Sequence, residues 1–131
     1  MTRREIREHV FLILFRKDFY NEAELNEQKE LYISNLPEPT MEESVLLAER
    51  FQSIIDNIDD IDKSISEAST GWKLSRMGKV ELTILRLAVY EMQYDDDIPV
   101  KVAINEAVEI AKKYGGDNTP AFVNGILAKL V

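Results

Sequence analysis

Cysteine is absent from this 131-residue sequence, and histidine occurs once, at His9. Without cysteine the chain cannot form a disulfide, a cysteine-based zinc site or a thiol nucleophile. The absence is typical of a reducing compartment, and we therefore expect a cytoplasmic protein. The longest uncharged apolar run, Val10–Phe15, spans six residues, far fewer than the roughly 18 to 20 that cross a bilayer. We expect neither a membrane span nor a secretory signal.

The motifs of common catalytic and cofactor sites are also missing. A nucleophilic triad needs a base, and His9 lies beside the apolar run of the first predicted helix. Gly115–Gly116 has neither the following lysine nor the preceding strand of a phosphate-binding loop. The Asp95–Asp97 triplet lacks the spaced oxygens and the distal glutamate of a calcium loop. The sequence therefore predicts no catalytic residues, no cofactor and no metal site.

Charge is abundant but unevenly distributed, with 16 basic and 24 acidic residues and a net charge of -8. Residues 1–20 contain five basic and three acidic residues, whereas residues 21–70 contain three basic and thirteen acidic ones. Residues 71–131 contain eight of each. A basic start on an acidic chain indicates two partners of opposite charge. For the acidic stretch alone, a role in solubility stays open.

Apolar residues recur at helical spacing along the whole chain, and no stretch alternates as a half-buried strand does. The third predicted helix begins at a capping box formed by Thr40 and Glu43. We predict an all-α fold, a compact bundle of about seven helices in one domain over residues 1–131. The helices are expected at about 3–20, 24–34, from Thr40 to a break at Asp59–Asp60, 61–68, 79–94, 100–114 and from a capping Thr119 onward, with glycines at 71 and 115–116 ending two of them.

Two charged residues, Arg86 and Glu91, are embedded in the most apolar predicted helix. An unpaired charge there would cost several kcal/mol, so each needs a partner or an exit to solvent. Pairing within the fold and a partner surface are both open for these two residues. Both are also open for Glu81, at the less apolar start of the same helix.

The best site that the residues alone suggest is the arginine group at the start of the chain, Arg3, Arg4 and Arg7. Positions 3 and 7 share a helix face, and a helix N-terminus adds partial positive charge and free N–H donors. Phosphate is the natural ligand of such a group. Glu5 and Glu8 interleave with the arginines, so the group would bind a phosphate backbone weakly by itself. Solvated surface arginines remain the alternative.

Four blocks of sequence resemble one known family. They are Arg3–Glu8 (RREIRE), Glu81–Glu91 (ELTILRLAVYE), Ile98–Gly115 (IPVKVAINEAVEIAKKYG) and Phe122–Gly125 (FVNG). In this order they resemble the NusB family of bacterial transcription antitermination factors. The resemblance spans the chain, although residues 21–70 match only in helical pattern and charge.

The resemblance implies an RNA-binding adapter with an all-α fold of two helical subbundles. NusB-like proteins pair with NusE, a small-subunit ribosomal protein, and together they bind single-stranded boxA RNA in ribosomal RNA leader transcripts. The complex, with other Nus factors, helps RNA polymerase to resist premature termination, and no reaction is catalysed. A basic ribosomal partner would find complementary charge on the acidic part of this chain.

By the same resemblance, individual positions are expected to contact RNA or NusE. Arg3, Arg4 and Arg7 match the family's arginine-rich RNA-contacting tip, although Glu5 stands where some relatives have a basic residue. The turn from Gly116 to Phe122 matches a second stretch near the RNA. The residues expected to contact RNA are Arg3, Arg4, Arg7, Asn118, Thr119 and Phe122, and those expected to face NusE are Phe15 and Glu81. Phe122 is a candidate for base stacking, with a core role as the alternative.

Two other functions are weighed against the RNA adapter. A NusB-like domain also occurs fused to ribosomal RNA methyltransferases, but we expect neither a second domain nor a cofactor-binding glycine loop in a chain of 131 residues. The other is a structural adapter that binds protein and never RNA. An exposed apolar groove would serve a second copy of the chain as well as NusE, so a homodimer of the free protein stays open.

Overall fold

The computed structural model describes residues Met1–Val131 and contains seven α-helices and no strand. The helices are α1 (Arg3–Leu14), α2 (Glu22–Ser34), α3 (Met41–Asp56), α4 (Ile58–Ala68), α5 (Lys79–Tyr94), α6 (Val100–Tyr114) and α7 (Thr119–Ala128). Two short 3-10 segments cover Phe15–Phe19 and Leu74–Arg76. The predicted all-α fold of about seven helices is confirmed. None of these helices combines the length and the apolar character needed to cross a membrane.

The chain divides into two compact units, Met1–Asp56 (unit 1) and Asn57–Val131 (unit 2). This division agrees with the two helical subbundles that the family resemblance implies. In unit 1, α1 packs against α2 and α3. The core of unit 1 comes from one face of α1 and one stripe of α3, and α2 adds only Leu25. These buried residues are Val10, Phe11, Ile13, Leu14, Leu25, Leu47, Phe51 and Ile54.

Two predicted helix boundaries are wrong, one at the end of α1 and the other at the start of α4. The first helix ends at Leu14, not near Tyr20, and tightens into the 3-10 segment Phe15–Phe19. Such tightening is common in the last turn of a helix, where carbonyls run out of partners. The break predicted at Asp59–Asp60 falls at Asn57 instead, so that Asp59 and Asp60 lie in the first turn of α4. Carboxylates are favourable there because they face the positive end of the helix dipole.

In unit 2, α5 is buried on every side, as its nearly continuous apolar sequence predicts. All ten residues from Leu82 to Glu91 are buried, and α5 packs against α4, α6 and α7. The small residues Ala103, Ala107 and Ala111 line the buried face of α6, which suits close helix packing. Truncating a buried leucine such as Leu85 to alanine would cost about 2 to 5 kcal/mol.

Arg86 on α5 confirms the pairing alternative left open by the sequence. It is 5% exposed, and its Nε and Nη2 atoms donate to the two carboxylate oxygens of Asp62 on α4 at 2.8 and 3.0 Å. Such a two-point arrangement satisfies a buried guanidinium better than a single contact. Glu91 is also buried, at 2% exposed, and so does not form a partner surface.

Candidate nucleic-acid interface

The start of α1 presents Arg3 and Arg4 as exposed side chains in the first turn of the helix. Thr2 caps this turn, because its Oγ1 accepts the backbone N–H of Glu5 at 3.1 Å. Glu5 reaches back to accept the Thr2 N–H at 3.1 Å, which completes a capping box. This turn therefore combines two exposed guanidinium groups with the partial positive charge of a helix N-terminus.

Glu5 has a structural role that the sequence analysis missed. Hydrogen bonds from Thr2, chiefly from its backbone N–H, hold the pKa of the Glu5 carboxyl below its ordinary value. The Glu5 carboxylate thus accepts a backbone hydrogen bond that caps the helix, in addition to offsetting part of the positive charge of the neighbouring arginines. The signal was present as a threonine followed three residues later by a glutamate, the pattern recognised at Thr40 and Glu43.

Arg7 does not resemble Arg3 and Arg4 in its surroundings, although the spacing groups all three. Its side chain is only 8% exposed. The reason is helical geometry, since position 7 lies one turn before Val10 and Phe11 on the buried face of α1. In the free protein Arg7 therefore belongs to the packing of α1, and RNA contact by Arg7 stays an untested prediction.

Phe15, expected to face a protein partner, lies in a row of three aromatic rings in unit 1. Its ring centroid is 6.4 Å from that of Phe11 and 5.3 Å from that of Phe19. Phe11 is buried, Phe15 is half-buried and Phe19 is 56% exposed. The row thus leads from the core to the surface and offers aromatic area of the kind enriched in protein interfaces.

The second predicted RNA stretch lies at the start of α7 in unit 2. Asn118 is exposed, and its side chain makes no capping hydrogen bond to the helix. Its amide therefore faces solvent with both donor and acceptor capacity. Thr119 is the first residue of α7, not the cap that the sequence suggests.

Thr119 is buried, at 4% exposed, and its hydroxyl already has two partners. It accepts the Gly116 backbone N–H at 3.0 Å and donates to Oε1 of Glu81 at 3.1 Å. The hydroxyl ties the turn before α7 to the start of α5. The structure thus joins Glu81 and Thr119, which the family resemblance assigns to different partners. RNA contact by the Thr119 hydroxyl stays an untested prediction, while the partly exposed Glu81 retains a face toward solvent.

Gly115 ends α6, as the sequence predicts, and glycine is needed there because of a close contact and not because of a left-handed backbone. Its φ of -97° and ψ of -179° are extended values that any residue can adopt. A Cβ at this position would lie 2.5 Å from both Cβ and Cγ2 of Thr119. The absence of a side chain therefore lets Thr119 come close enough to close the turn.

Phe122, the candidate stacking residue, is half-buried one turn after Asn118. Its ring meets the ring of Trp72 nearly edge to face, with centroids 5.5 Å apart and planes at 79°. Trp72 is not among the residues that the sequence predicts to contact RNA. The signal that could have found it is that Trp72 is the single tryptophan of the chain and is followed at once by Lys73.

His9, the only histidine of the chain, pairs with a tyrosine of α2. Nδ1 of His9 lies 2.7 Å from the Tyr32 hydroxyl, and burial raises the pKa of that hydroxyl. No three histidine, cysteine, aspartate or glutamate side chains are grouped in a way that could hold a metal ion. The arrangements with clear chemical meaning are therefore the exposed arginines, the aromatic rings and the amide of Asn118.

Comparison with known proteins places the chain in a family. The model of the NusB family matches residues 4–131. The transcription antitermination protein NusB of Lachnoclostridium phytofermentans is 56% identical over 131 residues, covering 100% of this chain and 99% of that protein. The structure of T. maritima NusB is similar, with a TM-score of 0.86, 35% identity and coverage of 99% of this chain and 90% of that one.

A further solved structure, of the antitermination factors NusB and NusE in complex with double-stranded RNA, matches with a TM-score of 0.77 and 27% identity. That match covers 96% of this chain and 92% of the other. The family model, the full-length sequence match and the fold agree with one another. This chain therefore belongs to the NusB family.

Proposed function

We propose that the chain is a transcription antitermination factor that binds boxA RNA of ribosomal RNA leader transcripts together with NusE. With other Nus factors it helps RNA polymerase to resist premature termination. The observation that carries this proposal is the structural match, over 96% of the chain, to a NusB protein crystallised with NusE and RNA. The site acts by binding, without a catalysed reaction, and in the cytoplasm, where bacterial transcripts are made.

The RNA-binding role rests on two groups of side chains with different chemistry. Arg3 and Arg4 are exposed at a helix N-terminus, which suits phosphate oxygens. Asn118 offers an exposed amide that can read a base edge, and the ring of Phe122 can stack on an unpaired base. The first group would supply affinity and the second would supply discrimination among bases.

The NusE-binding role rests on apolar area and on acidic charge. Phe15, with the exposed Phe19 beside it, provides an aromatic anchor of the kind that dominates binding energy in interfaces. Glu81 adds a carboxylate at the start of α5. The net charge of -8 favours the approach of a basic ribosomal protein.

The experiment is an anisotropy titration of labelled boxA RNA, and of a scrambled RNA, with this chain alone and with equimolar NusE. We expect selective binding of boxA that becomes much tighter when NusE is present. Binding of neither RNA in either condition would contradict the RNA role.

The titration also separates the alternatives. A structural adapter would leave both RNAs unbound in the anisotropy titration. It would still bind NusE, which isothermal titration calorimetry of the two proteins would detect. The methyltransferase alternative is disfavoured by the match to the transcription antitermination protein NusB of L. phytofermentans. The match covers 99% of that protein, which favours the adapter.

A further inference from the structure

The stretch from the last residue of α4 to the first turn of α5 is strongly basic in an otherwise acidic chain. Residues 68–80 contain Lys73, Arg76 and Lys79 and no aspartate or glutamate. The remaining residues carry a net charge of -11, because the whole chain carries -8. A local charge of +3 in such a protein attracts an anion and repels a basic ribosomal partner.

The fold holds this segment at both ends and exposes its middle. Ser69 is buried, and its hydroxyl donates to the Ile65 carbonyl at 2.7 Å. The Trp72 N–H then bonds to the Ser69 carbonyl at 2.8 Å, and Gly71, at φ +85°, supplies the positive φ that this β-turn needs. Met77 is buried at the other end. The segment is therefore anchored by its ends on unit 2.

The exposed middle presents one aromatic ring and two cations. Trp72 is 54% exposed, and Lys73 and Arg76 are exposed as well. An exposed tryptophan needs explanation, because this side chain is usually largely buried. Edge-to-face contact with Phe122 fixes the orientation of Trp72 but does not stack the two rings on each other. A base can therefore stack on a ring face that the pair leaves uncovered.

We propose that Trp72 stacks on an unpaired RNA base, and that Lys73 and Arg76 bind the phosphates next to that base. This inference rests on the proposed function and adds a binding segment, residues 69–77, to the start of α7. Aromatic rings flanked by cations are the chemistry with which proteins bind single-stranded nucleic acid. Trp72 and Phe122 then act as one aromatic platform, with the amide of Asn118 one helical turn from Phe122.

The test uses the intrinsic fluorescence of the unaltered chain, in which Trp72 is the only tryptophan. The chain is titrated with boxA RNA in the presence of a NusE that lacks tryptophan. Stacking predicts strong quenching of the Trp72 emission and protection of Trp72 from acrylamide. Emission and acrylamide quenching that do not change while anisotropy shows bound RNA would overturn the inference. That outcome would leave the proposed function intact.

A set of variants tests the inference separately. Trp72→Ala should weaken boxA binding on the order of tenfold, whereas Trp72→Phe, which keeps a stacking face, should recover most of the loss. The matched aromatic control is Tyr94→Ala, since Tyr94 is 39% exposed and stacks on Tyr90 within unit 2. Circular dichroism melts check that each variant folds. Equal RNA affinity of Trp72→Ala and Tyr94→Ala would contradict the inference.

The cations have their own control. The double variant Lys73→Ala/Arg76→Ala should lose RNA affinity at low salt, and the loss should shrink as salt rises. Lys101→Ala/Lys112→Ala removes the same charge from exposed positions on α6 and should have a smaller effect. A larger loss of NusE binding than of RNA binding would instead assign the segment to the protein partner. Absence of RNA binding by the unaltered chain would contradict the proposed function itself.

Discussion

The two units hold their candidate RNA-binding residues in different ways. In unit 1, Arg3 and Arg4 occupy an exposed helical turn that a local capping box with Thr2 and Glu5 completes. In unit 2, the start of α7 is held by contacts between residues far apart in sequence, such as the Thr119 bond to Glu81. The comparison teaches that the charged group depends on local sequence, whereas the aromatic and amide group depends on the packing of a whole unit.

Arg86 of unit 2, unlike the exposed Arg3 and Arg4 of unit 1, is buried and held by a residue far away in sequence. Removing that contact gives the largest expected loss of stability. Asp62→Ala would remove the carboxylate that accepts two hydrogen bonds from the buried guanidinium of Arg86, which should lower the free energy of unfolding by about 2 to 4 kcal/mol. Urea denaturation measures this loss. Glu67→Ala, an exposed carboxylate on the same helix, is the control and should change stability by less than about 0.5 kcal/mol. Similar losses for the two variants would contradict the role assigned to Asp62.

The packing of the α7 start gives the next effect. Gly115→Ala would place a Cβ 2.5 Å from Thr119 Cβ, and Thr119 cannot yield easily because Glu81 and Gly116 hold its hydroxyl. We expect a loss of about 1 to 3 kcal/mol in the free energy of unfolding. Gly116→Ala is the matched control, since nothing lies within 4 Å of its added Cβ. Thermal melts compare the stability of the two variants. Equal melting temperatures would argue against a close approach of Gly115 and the Thr119 side chain.

Arg7 tests whether a buried arginine of unit 1 contributes to stability, unlike the exposed arginines beside it. Because Arg7 is 8% exposed and no buried polar side-chain atom lacks a hydrogen bond, Arg7→Ala should cost about 1 to 2 kcal/mol of stability. Arg3→Ala, one turn earlier and exposed, should cost less than about 0.5 kcal/mol. Urea denaturation compares the two. If Arg7→Ala left stability unchanged and weakened only RNA binding, Arg7 would belong with Arg3 and Arg4.

The smallest expected effect is the pH dependence of the capping box. The pKa of Glu5 is lowered in the folded protein, chiefly by the Thr2 backbone N–H. Its stabilisation is therefore present above the pKa of the unfolded chain and is lost as pH falls through the folded pKa. Glu5→Gln keeps a capping acceptor but does not titrate. The stability advantage of the unaltered chain over Glu5→Gln should be constant near neutral pH and should shrink as pH falls through the acidic range in which Glu5 takes up its proton, and a constant difference throughout would contradict the lowered pKa.

The sequence predicts helix bounds well where glycine or proline lies at the end of a helix. The bounds predicted for α5 and α6 agree with the structure, because Gly78, Pro99 and Gly115 mark their ends. The end of α1 was misplaced because a 3-10 turn and an α turn share nearly the same apolar spacing over five residues. The break before α4 was misplaced because acidic residues suit a helix start as well as a gap.

The candidate site was predictable only in its exposed, local part. Arg3 and Arg4 follow from their position at a helix start. The Arg86–Asp62 pair and the Glu81–Thr119 bond depend on contacts between separate elements, across 24 and 38 residues of sequence. No spacing rule reports such contacts. Trp72 was missed for the same reason, since its contact with Phe122 exists only in the folded unit.

The most direct test of the central claim, that the exposed arginines of α1 bind the RNA backbone, is the salt dependence of boxA affinity. The affinity of the chain with NusE is measured from about 50 to 200 mM salt, for the unaltered sequence and for Arg3→Ala/Arg4→Ala. Each phosphate contact with a single strand contributes a slope of about -0.7 in log affinity against log salt. The account predicts a clear salt dependence whose slope becomes shallower by about 1.4 in the double variant. A slope near zero, or one that the double variant leaves unchanged, would contradict it.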